Sequence, residues 1–188
     1  FLDEVLVARL RKASGSSGTG LFATLLGVFA NLMHRLSGNT DLVVGVPAAG
    51  QLASGQDNLV GHCVNFLPLR LQVDPQGANS DLLAATQASL LDAYEHQACT
   101  FGRLLQQLSI ERDPSRPVLA SVMFNVDQEL GGKDFGGSEL AVEITSNPRS
   151  YETFDLFLNA VLSSGGLRLE CQYNSHLFDD QTIHAWMV

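Results

Sequence analysis

One segment in the middle of the chain carries most of its information: Val60-Gly-His-Cys-Val-Asn-Phe-Leu-Pro-Leu-Arg70. Its apolar residues predict a strand over residues 62–72 that ends at Val73-Asp-Pro75. The preceding apolar run, Leu42-Val-Val-Gly-Val46, is typical of a central strand covered on both faces. Residues 47–57 between the two strands are rich in Gly, Ala and Ser, so we expect a loop there.

Two helices are predicted before these strands. Residues 2–12 carry an apolar stripe opposite charged residues, and residues 21–36 are apolar almost all round, which indicates deep burial. The intervening Ser14-Gly-Ser-Ser-Gly-Thr-Gly20 has the composition of a flexible loop, and we assign it no function.

Two further helices follow the strands. Asn79 or Ser80 is expected to cap a helix over residues 81–96, which buries Leu91 among other apolar residues. A shorter helix is predicted over residues 102–109, closed off by Asp113-Pro114.

The last third of the chain is mostly strand. Residues 118–126 and 140–145 are predicted strands, separated by a Gly-rich crossing segment. Residues 153–162 and 167–174 form the clearest hairpin, because their apolar residues alternate on either side of Gly165-Gly166. Asp179 or Asp180 begins a final helix, which is truncated after about two turns. The sequence therefore predicts an α/β fold with a mixed β-sheet flanked by helices.

The composition excludes several classes of function. Hydrophobic residues make up 45% and charged residues 16% of the 188, as expected of one globular domain with a substantial core. Eleven basic residues against 20 acidic ones give a net charge of −9, and no basic run forms a stripe for phosphates, so no nucleic-acid partner is expected. The low charged fraction also indicates a surface that a partner covers.

The cysteines and the apolar segments bear on the location of the protein. Cys63, Cys99 and Cys171 are odd in number and lack the spacing of a zinc site, which is typical of reduced thiols. The apolar run at residues 21–36 is too short and too interrupted by polar residues to span a bilayer, and no signal peptide is recognisable. We expect a soluble, cytoplasmic protein without a membrane partner.

The candidate reactive groups do not form a complete catalytic or metal site. His62 and Cys63 are neighbours on a predicted strand and point to opposite faces, so they cannot pair as base and nucleophile. Asp180 and His184 are four residues apart on a predicted helix, a spacing more typical of a solvated contact than of a metal site. Gly45-Val-Pro-Ala-Ala-Gly50 lacks the phosphate-loop pattern and is more typical of a segment that passes close to another backbone or an extended ligand.

Two longer segments follow the central one, namely Tyr94-Glu-His-Gln-Ala-Cys-Thr-Phe-Gly-Arg-Leu-Leu105 and Arg112-Asp-Pro-Ser-Arg-Pro-Val-Leu-Ala-Ser-Val-Met-Phe-Asn125. In this order and at these spacings, the three segments resemble the last three signature motifs of the condensation domains of nonribosomal peptide synthetases. The resemblance covers nearly the whole chain. The catalytic signature of that family, His-His-x-x-x-Asp-Gly, is nowhere in the sequence. The resemblance therefore implies that residues 1–188 are the C-terminal lobe, of chloramphenicol-acetyltransferase-like fold, with the N-terminal lobe absent.

Condensation domains form an amide bond between an acyl or peptidyl donor and an aminoacyl acceptor, each carried as a thioester on the phosphopantetheine arm of a carrier protein. The resemblance implies that this lobe binds no cofactor of its own and supplies the floor and one wall of a tunnel between two lobes. It implies as partners the N-terminal lobe, both carrier proteins and the adjacent synthetase domains, and a crossing segment near residues 127–150 that reaches the other lobe. Without the histidine of the other lobe, the isolated chain is expected to be inactive. The predicted floor residues are Ala48, Ala49, Gly50, Gln51 and Asn65.

The chain departs from the family pattern at two of these positions, and alternatives stay open. Gln51 follows Gly50 where an arginine is usual, and Phe66 follows Asn65 where a threonine is usual. Asn65 could instead be an amide that pins the neighbouring loop. Phe124-Asn-Val-Asp-Gln128 is unlike the Phe-Asn-Tyr-Leu-Gly strand of epimerisation relatives, which favours condensation. A heterocyclisation-type relative and a non-catalytic docking lobe for carrier proteins or a neighbouring domain are the remaining alternatives.

Overall fold

A computed structural model describes residues 1–51, 55–56, 58–111, 113–129, 147 and 150–187. The predicted strand at residues 140–145 and most of the predicted crossing segment lie outside these residues. The strands are β1 (Leu2–Asp3), β2 (Asp41–Ala49), β3 (Val64–Gln72), β4 (Val122–Gln128), β5 (Leu156–Ser163) and β6 (Gly166–Tyr173). The helices are α1 (Glu4–Ser16), α2 (Leu21–Ser37), α3 (Asn79–Glu95), α4 (Phe101–Gln107) and α5 (Asp180–Met187).

In the described part of the chain, the strands form one six-stranded sheet in the order β1-β6-β5-β4-β2-β3. The pairs β2–β4 and β4–β5 are parallel, and the other three pairs are antiparallel. The mixed sheet flanked by helices that the sequence predicts is confirmed. Strand β3 lies at the edge of the sheet and carries Pro68, which lacks an N–H group and so discourages pairing with another strand.

The hydrophobic core lies between the sheet and α2. Alternate residues of β2 and β3 point toward this helix, because successive side chains of a strand point to opposite faces. Val44, Val46 and Leu69 are at most 2% exposed and belong to the same core cluster as Phe29 of α2 and Leu90 of α3. Phe124 of β4 stacks on Phe29 of α2 with ring centroids 5.5 Å apart. The deep burial predicted for residues 21–36 is confirmed for one face only, since Val28 is 56% exposed and Leu36 is 40% exposed.

The hairpin at the end of the chain has the predicted partners. Leu158 lies opposite Cys171, and Ala160 lies opposite Leu169. The turn needs glycine at position 166, where φ is +142° and a Cβ atom would lie 2.2 Å from the Leu2 carbonyl oxygen. Strand β1, which the sequence analysis places inside a helix, pairs with β6 at this point.

The structure corrects the predicted ends of two elements. Strand β2 continues through Pro47 to Ala49, because its residues pair with β3 as far as Val64. Helix α3 begins at Asn79 after Ala78, so the prediction that Asn79 or Ser80 caps it is wrong.

Two predicted environments are also wrong. Leu91 is 53% exposed rather than buried. The predicted flexible loop is partly helical, since α1 runs to Ser16. Two of its hydroxyl-bearing residues are buried: Ser14 Oγ lies 2.8 Å and Thr19 Oγ1 lies 3.2 Å from Thr24 Oγ1. This hydrogen-bonded set joins α1 to α2.

Strand β4 begins four residues later than the sequence predicts. Leu119 has a φ of +72°, which is unfavourable for a residue with a side chain. The N–H group of Ala120 donates to the Val118 carbonyl oxygen at 2.9 Å, which closes a tight turn around Leu119. The chain enters β4 only after this turn.

Among the described residues, no single helix is long and apolar enough to cross a membrane. The helices α1 and α2 reach the required length and hydropathy only as a pair, with a bend of 101° between them.

Candidate functional site

Four of the five predicted floor residues lie in or just after the end of β2. Ala48 pairs with Asn65, and Ala49 pairs with Val64, in the antiparallel ladder with β3. The Ala48 methyl group is 4% exposed and belongs to the hydrophobic core. Ala49 is exposed on the other face, and Gln51 is half-buried. The exposed surface at this strand end therefore comes from Ala49 and the residues after it.

Gly50 closes the strand end against β3. Its N–H group donates to the carbonyl oxygen of Cys63 at 2.7 Å. A Cβ atom at position 50 would lie 2.4 Å from that oxygen, which belongs to the backbone and cannot rotate away. Only glycine fits here. The predicted close approach of this segment to another backbone is therefore confirmed, with Cys63 as the neighbour.

Asn65 ties the start of β3 to the turn between α3 and α4. Its Nδ2 donates to the carbonyl oxygen of Gln97 at 2.8 Å and to that of Cys99 at 3.4 Å. Its Oδ1 accepts the N–H of Phe66 at 2.9 Å. Both ends of the amide are therefore engaged within the chain. This geometry matches the alternative in which Asn65 pins the neighbouring loop.

The neighbouring residue, Phe66, lies on the opposite face of the sheet. Its ring covers Gly45, where a Cβ atom would lie 2.2 Å from the ring. The ring of Phe101 meets it edge-on at 4.8 Å, and that of Phe154 stacks nearly parallel to it at 5.6 Å. We call Phe66, Phe101 and Phe154 the aromatic cluster. This cluster is not predicted from the sequence, although a glycine inside a strand is a sign that another group approaches closely.

The arginine of the central segment has a structural role. Arg70 makes a two-pronged contact with Asp41 across β2 and β3, with Nε to Oδ1 at 2.9 Å and Nη2 to Oδ2 at 2.6 Å. This hydrogen bond holds the pKa of Asp41 below its usual value. Both side chains are largely exposed, so the pair contributes little stability.

The acid of the third segment also has a structural role. The hydroxyl group of Ser115 donates to Asp113 Oδ1 at 2.6 Å, and the N–H of Ser115 donates to the same oxygen at 2.8 Å. These bonds lower the pKa of Asp113, the hydroxyl bond most. Asp113 and Ser115 therefore build a turn.

The candidate residues for thiol or metal chemistry do not form a site. His62 is exposed and Cys63 is half-buried. Burial raises the pKa of Cys171 to about 11, which keeps this thiol protonated and unreactive. Asp180 accepts a hydrogen bond from the hydroxyl group of Tyr173, whose pKa this bond raises, and Asp179 accepts the Thr182 N–H at the start of α5. Across the described ranges, no group of three His, Cys, Asp or Glu side chains could hold a metal ion.

Two grooves lie away from this strand end. A polar groove of about 550 Å³ runs beside the end of β6, where Gln172 and Asn174 line it. An apolar groove of about 570 Å³ lies beneath the starts of β2 and β4, where Leu119 and Trp186 line it. Neither contains a predicted floor residue. The site that the sequence predicts is therefore formed by the end of β2, the start of β3 and the turn at residues 97–99.

The fold is that of condensation domains and their relatives. The condensation domain of the monacolin K polyketide synthase MokA superposes with a TM-score of 0.83 at 20% identity, over 99% of this chain and 43% of that one. The X-domain from teicoplanin biosynthesis superposes with a TM-score of 0.85 at 21% identity, over 98% of this chain and 43% of that one. A four-domain nonribosomal peptide synthetase bound to AMP and glycine gives a TM-score of 0.85 at 26% identity, over 99% of this chain and 15% of that one.

Similarity in sequence establishes the family itself. The model of the condensation domain family matches residues 1–188, and the chain belongs to this family. A linear gramicidin synthase polypeptide of Brevibacillus parabrevis is 32% identical over 179 residues, which are 95% of this chain and 2% of that protein. Phosphinothricin tripeptide synthetase PhsB of Streptomyces viridochromogenes is 32% identical over 184 residues, which are 97% of this chain and 16% of that protein. The chain thus spans a small part of these relatives.

Proposed function

We propose that this chain is the C-terminal lobe of a condensation domain that forms amide bonds in nonribosomal peptide synthesis. One observation carries the proposal: the family model covers all 188 residues, and its similar proteins include synthetases of peptides. The contacts between the segments support it. Asn65 of the central segment bonds to Gln97 of the second, and Phe66 contacts Phe101.

The proposed reaction joins two thioester-bound groups. The amine of the aminoacyl acceptor attacks the thioester carbonyl carbon of the donor, so a C–N bond forms and the C–S bond breaks. The amine nitrogen loses a proton, and the donor's pantetheine sulfur leaves and ends as a thiol. Both groups ride on the phosphopantetheine arms of carrier proteins, which are substrates and partners rather than cofactors of this lobe.

In this proposal the end of β2 forms part of the tunnel floor. Ala49 and Gly50 leave room beside the path of the arm, and Gln51 and the backbone provide polar groups there. Ala48 contributes through its backbone, because its methyl group is in the core. Asn65 acts as a positioning residue, since its amide holds the turn at residues 97–99.

The chemistry needs a second lobe. The sequence lacks His-His-x-x-x-Asp-Gly, and no histidine in the described part of the chain is paired with a nucleophile. The proposed N-terminal lobe supplies the histidine and the facing wall of the tunnel. We therefore propose that residues 1–188 alone are inactive. We also propose a cytoplasmic location, which is consistent with the carrier-bound substrates of such synthetases.

A second candidate is a lobe that docks a partner without chemistry. One observation favours it: the X-domain, which has the same fold, has been solved in a complex with OxyB from teicoplanin biosynthesis. The fold therefore also occurs in a domain solved with a partner protein. A heterocyclisation-type relative remains a variant of the first candidate.

The test uses the intact domain with both lobes. Donor and acceptor carrier proteins are loaded with defined thioesters, and the amide product is measured by mass spectrometry. We expect the wild-type domain to form the product and Gly50→Ala to lose most of this activity. Gly61→Ala is expected to lose none of it, because no atom of the described residues lies within 4 Å of the added Cβ. Carrier binding without any product, in wild type and with all substrates, would favour the docking lobe.

A further inference from the structure

The aromatic cluster stands at the edge of the proposed floor. Phe66 pairs with Pro47 in the ladder between β2 and β3, and the next pair is Asn65 with Ala48. The cluster is therefore one register position from the small-residue strand end. It lies on the sheet face opposite α2, because the neighbouring Leu67 and then Leu69 along β3 point into the core.

The three rings are brought together from distant parts of the chain. Phe101 is the first residue of α4, whose preceding residue, Thr100, caps the helix by accepting the N–H of Arg103 at 3.4 Å. Asn65 fixes the turn that leads to this cap. Phe154 lies two residues before β5. The position of the cluster is thus set by the same contacts that set the proposed floor.

The cluster presents apolar surface rather than closing a core. All three rings are half-buried, whereas Phe29 and Phe124 on the other face are at most 2% exposed. Gly45 has no side chain and so leaves room for the far end of the Phe66 ring over the pair of strands β2 and β3. Rings in this arrangement bind apolar groups better than polar ones, because burial of apolar area is favourable and ring–ring contacts add to it.

We propose that the aromatic cluster selects substrates with apolar side chains, and that Phe66 is the specificity-determining residue. This inference rests on the proposed function. The acyl or aminoacyl group on a carrier arm that reaches the strand end places its side chain against the Phe66 ring. A polar or charged side chain would lose its hydration there without gaining a partner, so it reacts more slowly.

The test compares substrate preference in the intact two-lobed domain. One series varies the acceptor between phenylalanyl, leucyl and seryl thioesters with a fixed donor, and the other varies the donor with a fixed acceptor. We expect Phe66→Thr to lower the preference for phenylalanyl over seryl thioesters about three- to tenfold in one of the two series. The series that shows this change identifies whether the donor or the acceptor contacts the ring. Phe66→Leu keeps an apolar side chain and still tests the proposal if Phe66→Thr does not fold. We expect it to lower the same preference less.

The matched control is Phe29→Leu, the same change in a ring of the helix-side core. It is expected to lower the melting temperature and to leave the preference unchanged. A domain that forms amide bonds but shows the same preference in wild type and both Phe66 variants overturns the selectivity role. A wild-type domain that forms no amide bond with any of these substrates overturns the proposed function and the inference with it.

Discussion

The side-chain amide of Asn65 donates to the carbonyl oxygen of Gln97 at 2.8 Å, across 32 residues of sequence. This contact joins the start of β3 to the turn that leads into α4. It explains why the first two of the three segments that carry the family resemblance are adjacent in space although a strand, a loop and a helix separate them.

Replacing Asn65 by aspartate should destabilise the chain. The carboxylate cannot donate, and it would face the carbonyl oxygens of Gln97 and Cys99. We expect a loss of about 1–3 kcal/mol in the free energy of unfolding, measured with urea. Asn58→Asp adds the same charge at an exposed position and should change the stability by less than about 0.5 kcal/mol. Equal stability of the two variants would show that the amide does not hold the turn.

Replacing Gly45 by alanine should be destabilising because of Phe66. The added Cβ would lie 2.2 Å from the ring, which is itself held by Phe101 and Phe154. We expect a loss of about 1–3 kcal/mol in the free energy of unfolding. Combining Gly45→Ala with Phe66→Leu should recover part of it, because the smaller side chain leaves room. Additive losses in the double variant would refute the contact.

The pair of Asp41 and Arg70 predicts a pH dependence. Asp41 has a lowered pKa in the folded chain, so the folded state binds its proton less readily than the unfolded state does. The pair therefore stabilises the chain above the ordinary carboxyl pKa of 3.8, and this contribution is lost as the pH falls through the lowered value. The difference in unfolding free energy between wild type and Asp41→Asn should be small, constant near neutral pH, and vanish in acid. In the Arg70→Gln background, a difference of the same size and pH dependence would contradict this origin.

The thiol of Cys171 should resist alkylation. Its pKa is raised to about 11 by burial, so only about a thousandth of it is thiolate at pH 8. With iodoacetamide at pH 8, we expect Cys171 to react about 100-fold more slowly in the folded chain than in urea, as measured by peptide mass spectrometry. Rapid labelling in the folded chain would show that this thiol is accessible and ionised.

The sequence predicts the sheet well because its signals are local. The alternation of apolar residues on either side of Gly165-Gly166 predicts the hairpin, in which the structure places Leu158 opposite Cys171. The apolar run at residues 21–36 gives the buried helix, and the run at residues 42–46 gives the middle of β2. Each of these depends only on periodicity within a short window.

The elements that the sequence misses depend on partners far along the chain. Ala49 is in a strand because Val64 pairs with it, although its local composition is typical of a loop. Ser14 and Thr19 are ordered because their hydroxyl groups lie 2.8 Å and 3.2 Å from the hydroxyl group of Thr24. The delayed start of β4 depends on the positive φ of Leu119, which no local propensity favours.

The candidate site was predictable in part. The sequence correctly indicates that the segment ending at Gly50 approaches another backbone, and it offers the pinning role of Asn65 as an alternative. It does not give the aromatic cluster, because Phe101 and Phe154 reach Phe66 only through the folded turn at residues 97–99 and the parallel placement of β5. The tunnel-lining role of the floor residues stays a prediction.

A single-turnover ligation assay measures whether residues 1–188 need a second lobe to form an amide bond. Purified residues 1–188 are mixed with donor and acceptor carrier proteins that bear aminoacyl thioesters, with and without a separately purified N-terminal lobe that contains His-His-x-x-x-Asp-Gly. We predict no amide product above the uncatalysed background from residues 1–188 alone, and product formation when the two lobes are combined. Amide formation by residues 1–188 alone at the rate of an intact domain would show that the second lobe is not needed.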